Sequence, residues 1–83
     1  MNNVKTFFFA TLQDRVGARL VEIQIPPQTN VTGFKTILAE KFPALNGLVN
    51  HSLVAVNQEY ASDDFVIPDC AEIALFPPVS GGD

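Results

Sequence analysis

The chain has 83 residues and a formal net charge of −4, with 47% hydrophobic and only 17% charged side chains. That length makes one domain, which buries about two-thirds of its unfolded surface and has little room for an enclosed active site. Three classes are excluded at once: a disordered chain by the apolar content, a nucleic-acid binder by five scattered basic residues, and a disulfide or multi-cysteine zinc scaffold by the single cysteine, Cys70.

The same composition is more apolar than a small water-soluble monomer requires, so part of the surface is expected to be kept for a partner. The acidic balance favours basic partners. No basic start precedes an apolar stretch and no apolar run approaches membrane-spanning length, so no membrane role is expected and the cytoplasm is the expected compartment.

Val4 to Ala10 is expected to be a central strand. Val4, Thr6, Phe8 and Ala10 fall on one face and Lys5, Phe7 and Phe9 on the other, and both faces are largely apolar. Arg15 to Arg19, around Gly17, reads as a loop, and Leu20 to Ile25 as a second strand completing an antiparallel hairpin. Pro26 and Pro27 end that strand. Thr29 or Asn30 is placed to cap a helix along which Val31, Phe34, Leu38 and Phe42 recur at helical spacing. Gly33 weakens that helix by roughly 1 kcal/mol against alanine, and Pro43 stops it.

Ala44 to Asn50 reads as a short helical turn or loop, Leu53 to Asn57 as a third strand, and Asn57-Gln58-Glu59 as a turn into a short edge strand at Tyr60. Loops surround Phe65-Val66-Ile67, and Glu72 to Phe76 is the last strand. There Ile73 and Leu75 oppose Ala74 and Phe76. This order predicts an α+β fold, a mixed sheet with one main helix laid across it and the first and last strands side by side in the middle. That arrangement is the ubiquitin-like β-grasp. It is expected over residues 1–76, with 77–83 as a flexible tail.

The tail reads Pro77-Pro78-Val79-Ser80-Gly81-Gly82-Asp83. The proline pair favours an extended backbone and lowers the entropy lost when the tail enters another protein. Gly81 and Gly82 carry no Cβ, so the backbone passes a narrow channel and takes unusual dihedrals. From Pro77 to Gly82 the chain reaches at most roughly 20 Å, enough to cross a protein wall.

Three segments carry a resemblance: Phe8-Phe9-Ala10 with Val16-Gly17, then Leu53-Val54-Ala55-Val56-Asn57-Gln58, then Glu72 to Gly82. On these the chain resembles the MoaD/ThiS family of sulphur carriers. Phe76-Pro77-Pro78-Val79 before Ser80 and the diglycine is similar to the molybdopterin synthase branch in particular. The resemblance implies a carrier subunit that is not an enzyme alone. It further implies that the terminal glycine carboxylate, that of Gly82, is adenylated by a ubiquitin-activating-like adenylyltransferase using ATP and magnesium, then becomes a thiocarboxylate whose sulphur goes to cyclic pyranopterin phosphate in the larger synthase subunit. The carrier itself is expected to bind no cofactor and no metal.

Adenylation supplies the leaving group that a carboxylate lacks, and the thiocarboxylate is a good sulphur nucleophile. Asp83 departs from the family pattern, because it ties the Gly82 carboxyl into a peptide bond. A processing peptidase that removes Asp83 is therefore expected; the alternatives are that the partners tolerate one extra residue or that this copy does not carry sulphur. The resemblance also implies that Phe9 and Phe76, on neighbouring strands, contact the larger subunit. A docking strand left uncovered would favour a homodimer of the isolated chain. Two alternatives remain open: a carrier for thiazole, cysteine or tRNA thiolation, or a ubiquitin-like modifier joined through Gly82 to lysines.

The remaining polar residues read as structural. Cys70 has no basic neighbour in sequence to activate it. His51 reads as a loop residue, and Asp63, Asp64 and Asp69 read as solvated turn carboxylates whose spacing matches no metal loop.

Overall fold

The computed structural model describes residues 1–77, and its first element already departs from the expected one. Strand β1 is Asn2–Phe8; it does not reach Ala10. Phe9 stays extended as an N-cap and Ala10 turns to a positive φ of 54°. Helix α1, Ala10–Val16, follows, where the sequence reading placed the end of a strand and a loop. Its signals are Leu12 and Val16, four apart on one face, and Gly17 at φ 83°, a left-handed C-cap whose N–H donates to Gln13 O. Leu12 is fully buried. Arg15 donates to Ala44 O at 3.2 Å, tying the helix to the turn that follows the main helix.

Strand β2, Leu20–Ile25, has the expected bounds. It pairs antiparallel with β1, Thr6 opposite Val21 and Phe7 opposite Leu20. The main helix, α2, is Val31–Lys41. Its N-terminus shows where each free donor goes. Val31 N–H donates to Phe65 O and Thr32 N–H to Asp63 O, Gly33 N–H to the Asn30 side chain at 2.8 Å, and Phe34 N–H to Asn30 O. Asn30 is thus the cap, and the loop after β4 supplies the rest.

Phe42 and Pro43 end α2, and two 3-10 turns, Pro43–Leu45 and Val49–His51, carry the chain back to the sheet. Strand β3, Leu53–Val56, and strand β4, Glu59–Tyr60, form a hairpin. Asn57 and Gln58 both have positive φ, 52° and 74°, as a two-residue hairpin turn of right-handed twist requires. Strand β5, Glu72–Phe76, pairs parallel with β1 and antiparallel with β3. The sheet order is β2-β1-β5-β3-β4, with the first and last strands adjacent near the middle, as in the β-grasp arrangement.

One face of this sheet is closed by α2. Val4 and Phe8 of β1, Ile23 and Ile25 of β2, Val54 and Val56 of β3, and Ile73 and Leu75 of β5 pack with Val31, Phe34 and Leu38. Phe42 meets Phe8 edge-on, with ring centroids 5.8 Å apart. Thr6 is fully buried there and its Oγ1 has no hydrogen-bond partner. Lys35 is nearly buried, with its Nζ between Asn50 O at 3.4 Å and Asp63 Oδ1 at 3.6 Å. Its stem covers apolar surface while the ammonium ties α2 to two loops.

Candidate functional site

Side chains alternate across a strand, so β1 sends Lys5, Phe7 and Phe9 to the face that α2 does not cover. Register then assembles that face. Phe7 lies opposite Leu20 on one side and Ala74 on the other; Ala74 lies opposite Ala55, and Ala55 opposite Tyr60. One row of uncharged residues therefore crosses every strand of the sheet. Leu53, opposite Phe76, begins a second row.

Phe9 and Phe76 come together as expected, although Phe9 sits just past β1 in an extended cap. Their rings stack with centroids 4.8 Å apart and planes 11° apart. Phe9 donates its N–H to Leu75 O, so the backbone bond fixes the stacking partner. Tyr60 joins the group, its ring 6.3 Å from Phe76 and tilted by 60°. Stacked and tilted rings at such distances are favourable geometries beyond their burial.

Both phenylalanines are half-buried, whereas Tyr60 is 75% exposed, and Leu53 and Leu20 are 47% and 46% exposed. Between Phe7, Phe9 and Ala74 lies an open groove of about 250 Å³, also lined by Arg19, Gln58 and Glu72. Tyr60, Leu53 and Phe7 were missed as members of this patch. In the sequence Tyr60 reads only as the start of an edge strand, because its partners are set once β3, β4 and β5 are in register.

The polar end of the same face is different in character. Lys5 lies between Glu22 and Glu72 in the strand register. Asn3, Lys5, Glu22, Glu72 and Cys70 line a second groove, so the fold brings a basic residue near Cys70 that the local sequence lacks. Cys70 is exposed, with φ 63°. Asp69 Oδ1 accepts from Asn3 and Cys70 N–H at 2.9 Å each, a turn role. Asp63 serves Lys35, Asp64 is exposed, and His51 is an exposed residue of the second 3-10 turn.

β5 ends at Phe76, and Pro77, half-buried, follows it directly. The chain therefore leaves the sheet at the aromatic patch itself. Pro78, Val79, Ser80, Gly81, Gly82 and Asp83 lie outside the described residues. Among the described residues no helix is long and apolar enough to cross a membrane.

Comparison with known proteins gives this surface a context. The model of the ThiS family matches residues 7–82. A protein of Caenorhabditis briggsae named molybdopterin synthase sulfur carrier subunit is 38% identical over 84 residues, covering 99% of this chain and 100% of that one. The structure of small archaeal modifier protein 1 from Haloferax volcanii superposes with a TM-score of 0.83 at 28% identity, covering 95% of this chain and 100% of that chain. A protein–protein complex of subunits 1 and 2 of molybdopterin-converting factor from Helicobacter pylori has a TM-score of 0.66 at 23% identity, covering 96% and 99%, and so shares the fold.

Proposed function

The chain belongs to the ThiS family, and from that premise we propose that it is the sulphur carrier subunit of a molybdopterin synthase. The observation that carries the reading is where β5 ends: Phe76, in the stack with Phe9, is followed directly by Pro77, so the proposed docking surface is also where the sequence leading to Gly82 begins. The names of the relatives support the same assignment.

The chemistry resides in one carboxyl group, that of Gly82. A ubiquitin-activating-like enzyme joins it to AMP from magnesium-bound ATP, releasing pyrophosphate. Sulphide-level sulphur from a donor then attacks the acyl carbon, the acyl–oxygen bond to AMP breaks, and AMP leaves with its electron pair. In the large synthase subunit the thiocarboxylate sulphur bonds to carbon of cyclic pyranopterin phosphate, and water then cleaves the acyl–sulphur bond, leaving the Gly82 carboxylate free again. The carrier contributes presentation: a sheet with an aromatic docking patch, followed in the sequence by a proline pair and a diglycine without side chains. The carrier works in the cytoplasm with these two partners and is not an enzyme alone.

The Gly82–Asp83 peptide bond has to be cleaved before any of this begins, and we assign that step to a peptidase. Intact-mass spectrometry of the chain from its native host, before and after the activating enzyme and ATP with a sulphur donor, tests both steps. The expected species ends at Gly82 and gains the mass of sulphur replacing one carboxyl oxygen. A thiocarboxylate on a chain that still ends in Asp83 would refute the processing step. A chain ending at Gly82 that is never thiocarboxylated would refute the carrier.

A second reading follows from the likeness to an archaeal protein named a modifier: attachment of Gly82 to lysines of other proteins. Glycine-glycine remnants on lysines after digestion of the host proteome would support it, while binding to a large synthase subunit supports the first.

A further inference from the structure

β2 is the outer strand on one side of the sheet, and two sets of contacts show which of its groups are free. Phe8 N–H donates to Arg19 O at 2.8 Å, in the same register that sets Phe7 opposite Leu20. Hydrogen-bonded pairs alternate along an antiparallel ladder, so Thr6 with Val21, Val4 with Ile23 and Asn2 with Ile25 are bonded pairs as well. The other side of β1 agrees. Lys5 donates to Ala71 O and Phe9 to Leu75 O, so the alternate residues of β1, Lys5, Phe7 and Phe9, turn their main-chain groups towards β5. The main-chain N–H and C=O groups of Leu20, Glu22 and Gln24 therefore point away from the sheet. Among the described residues no strand pairing or loop bond engages them.

Free edges are usually blunted by charged side chains, lysine above all, by proline or by a bulge. Within Leu20–Ile25 β2 has no lysine, proline or bulge and a single charge, Glu22; its prolines come after Ile25, and its register with β1 runs unbroken. We propose that this edge pairs antiparallel with the same edge of a second copy of the chain, Glu22 opposite Gln24 and Ile23 opposite Ile23 on a two-fold axis.

Hydrogen-bond parity and charge select that register. Outward groups must meet outward groups, so Leu20, Glu22 and Gln24 pair only among themselves. With Glu22 on the axis, two carboxylates would lie directly opposite, which is destabilising. With Leu20 opposite Glu22 the overlap shrinks to the start of the strand, and with Gln24 on the axis it shrinks to Ile23–Ile25 at its end. With Glu22 opposite Gln24 the overlap runs from Val21 to Ile25, and each carboxylate faces an amide that donates to it. The strand is thus self-complementary, as an isologous two-fold contact requires. A single pair of edges buries less than the roughly 1,200 Å² of a standard stable interface, so the dimer is transient and concentration-dependent. β1 separates this edge from β5, which leaves the Phe9–Phe76 patch free for a different partner. The proposal stands independently of the sulphur-carrier reading.

Analytical ultracentrifugation of the full chain over a concentration series tests it, with amide exchange followed by NMR on the same samples. The expected result is a monomer-to-dimer shift with rising concentration, accompanied by growing protection of the Glu22 and Gln24 amides. Gln24→Pro removes one outward N–H, which an edge strand tolerates, and is expected to stay monomeric; Phe76→Ser is expected to dimerise as before. Should Gln24→Pro fail to fold, the exchange data on the unsubstituted chain decide alone. A chain monomeric throughout the series overturns the proposal. So does a dimer lost in Phe76→Ser and kept in Gln24→Pro, which would assign it to the aromatic face. Protection of Glu22 and Gln24 that appears only with an added large subunit also overturns it, by making the edge a site for a foreign strand.

Discussion

The two faces of the sheet are made by the same strands and are both rich in apolar residues, yet only one is a core. On the covered face Phe8, Ile73, Leu75 and Ile25 have no solvent exposure, because α2 and its Phe34 and Leu38 lie across them. On the open face Phe9 and Phe76 cover each other, while Tyr60 is largely in water and Leu53 and Leu20 are about half exposed. The difference teaches that apolar alternation reports a surface that something will cover, without saying whether the cover is another part of the chain or another protein. The covered face should govern stability, and the open face should govern association.

The strongest break in that contrast would come from Phe34. Phe34→Ala is expected to cost about 3–5 kcal/mol in urea unfolding, because it opens a cavity between α2 and the sheet. That is a large part of a small domain's total stability. A loss below about 1 kcal/mol would show that α2 is not the principal cover.

On the open face, Phe76→Ala is expected to lower affinity for a large synthase subunit by about 2 kcal/mol, or roughly thirtyfold, in titration calorimetry. Its effect on unfolding should be well below that of Phe34→Ala. Unchanged affinity would remove the aromatic patch from the docking surface.

Asn30→Ala takes away the acceptor for Gly33 N–H and should cost about 1 kcal/mol. In a domain of this size that lowers Tm by about 4–8 °C, with affinity for the partner unaltered. Thr6→Val is the smallest change and has the opposite sign. It replaces a buried hydroxyl that has no partner with a methyl group, and should raise stability by about 1 kcal/mol or less. A destabilised Thr6→Val would mean that the hydroxyl is satisfied in solution, for instance by a bound water.

Much of this is legible in the sequence. β2, β5 and α2 carry clean local signals: alternation in Leu20–Ile25 and Glu72–Phe76, and an Asn30 cap before Val31, Phe34 and Leu38. α1 was not read, although Leu12, Val16 and a glycine cap were present. The apolar run Phe7-Phe8-Phe9-Ala10 continued the strand pattern past its real end, and a helix this short gives its period only two apolar positions. The open patch was half legible. Phe9 and Phe76 were marked through the family resemblance, but Tyr60 entered through pairing with Ala55, a contact set by the Asn57-Gln58 turn.

Sequence by itself determined the class of fold, the five strands and main helix, and the tail whose Gly82 carboxyl is the proposed reactive group. These depend on neighbours along the chain: alternation, capping, proline breaks and the order of residues at the end. Tertiary structure decided which apolar face is left open, which side chains gather there with Phe76, and which main-chain groups of β2 have no partner. Those are properties of register and of where α2 lies, and register is fixed by contacts between residues far apart in sequence.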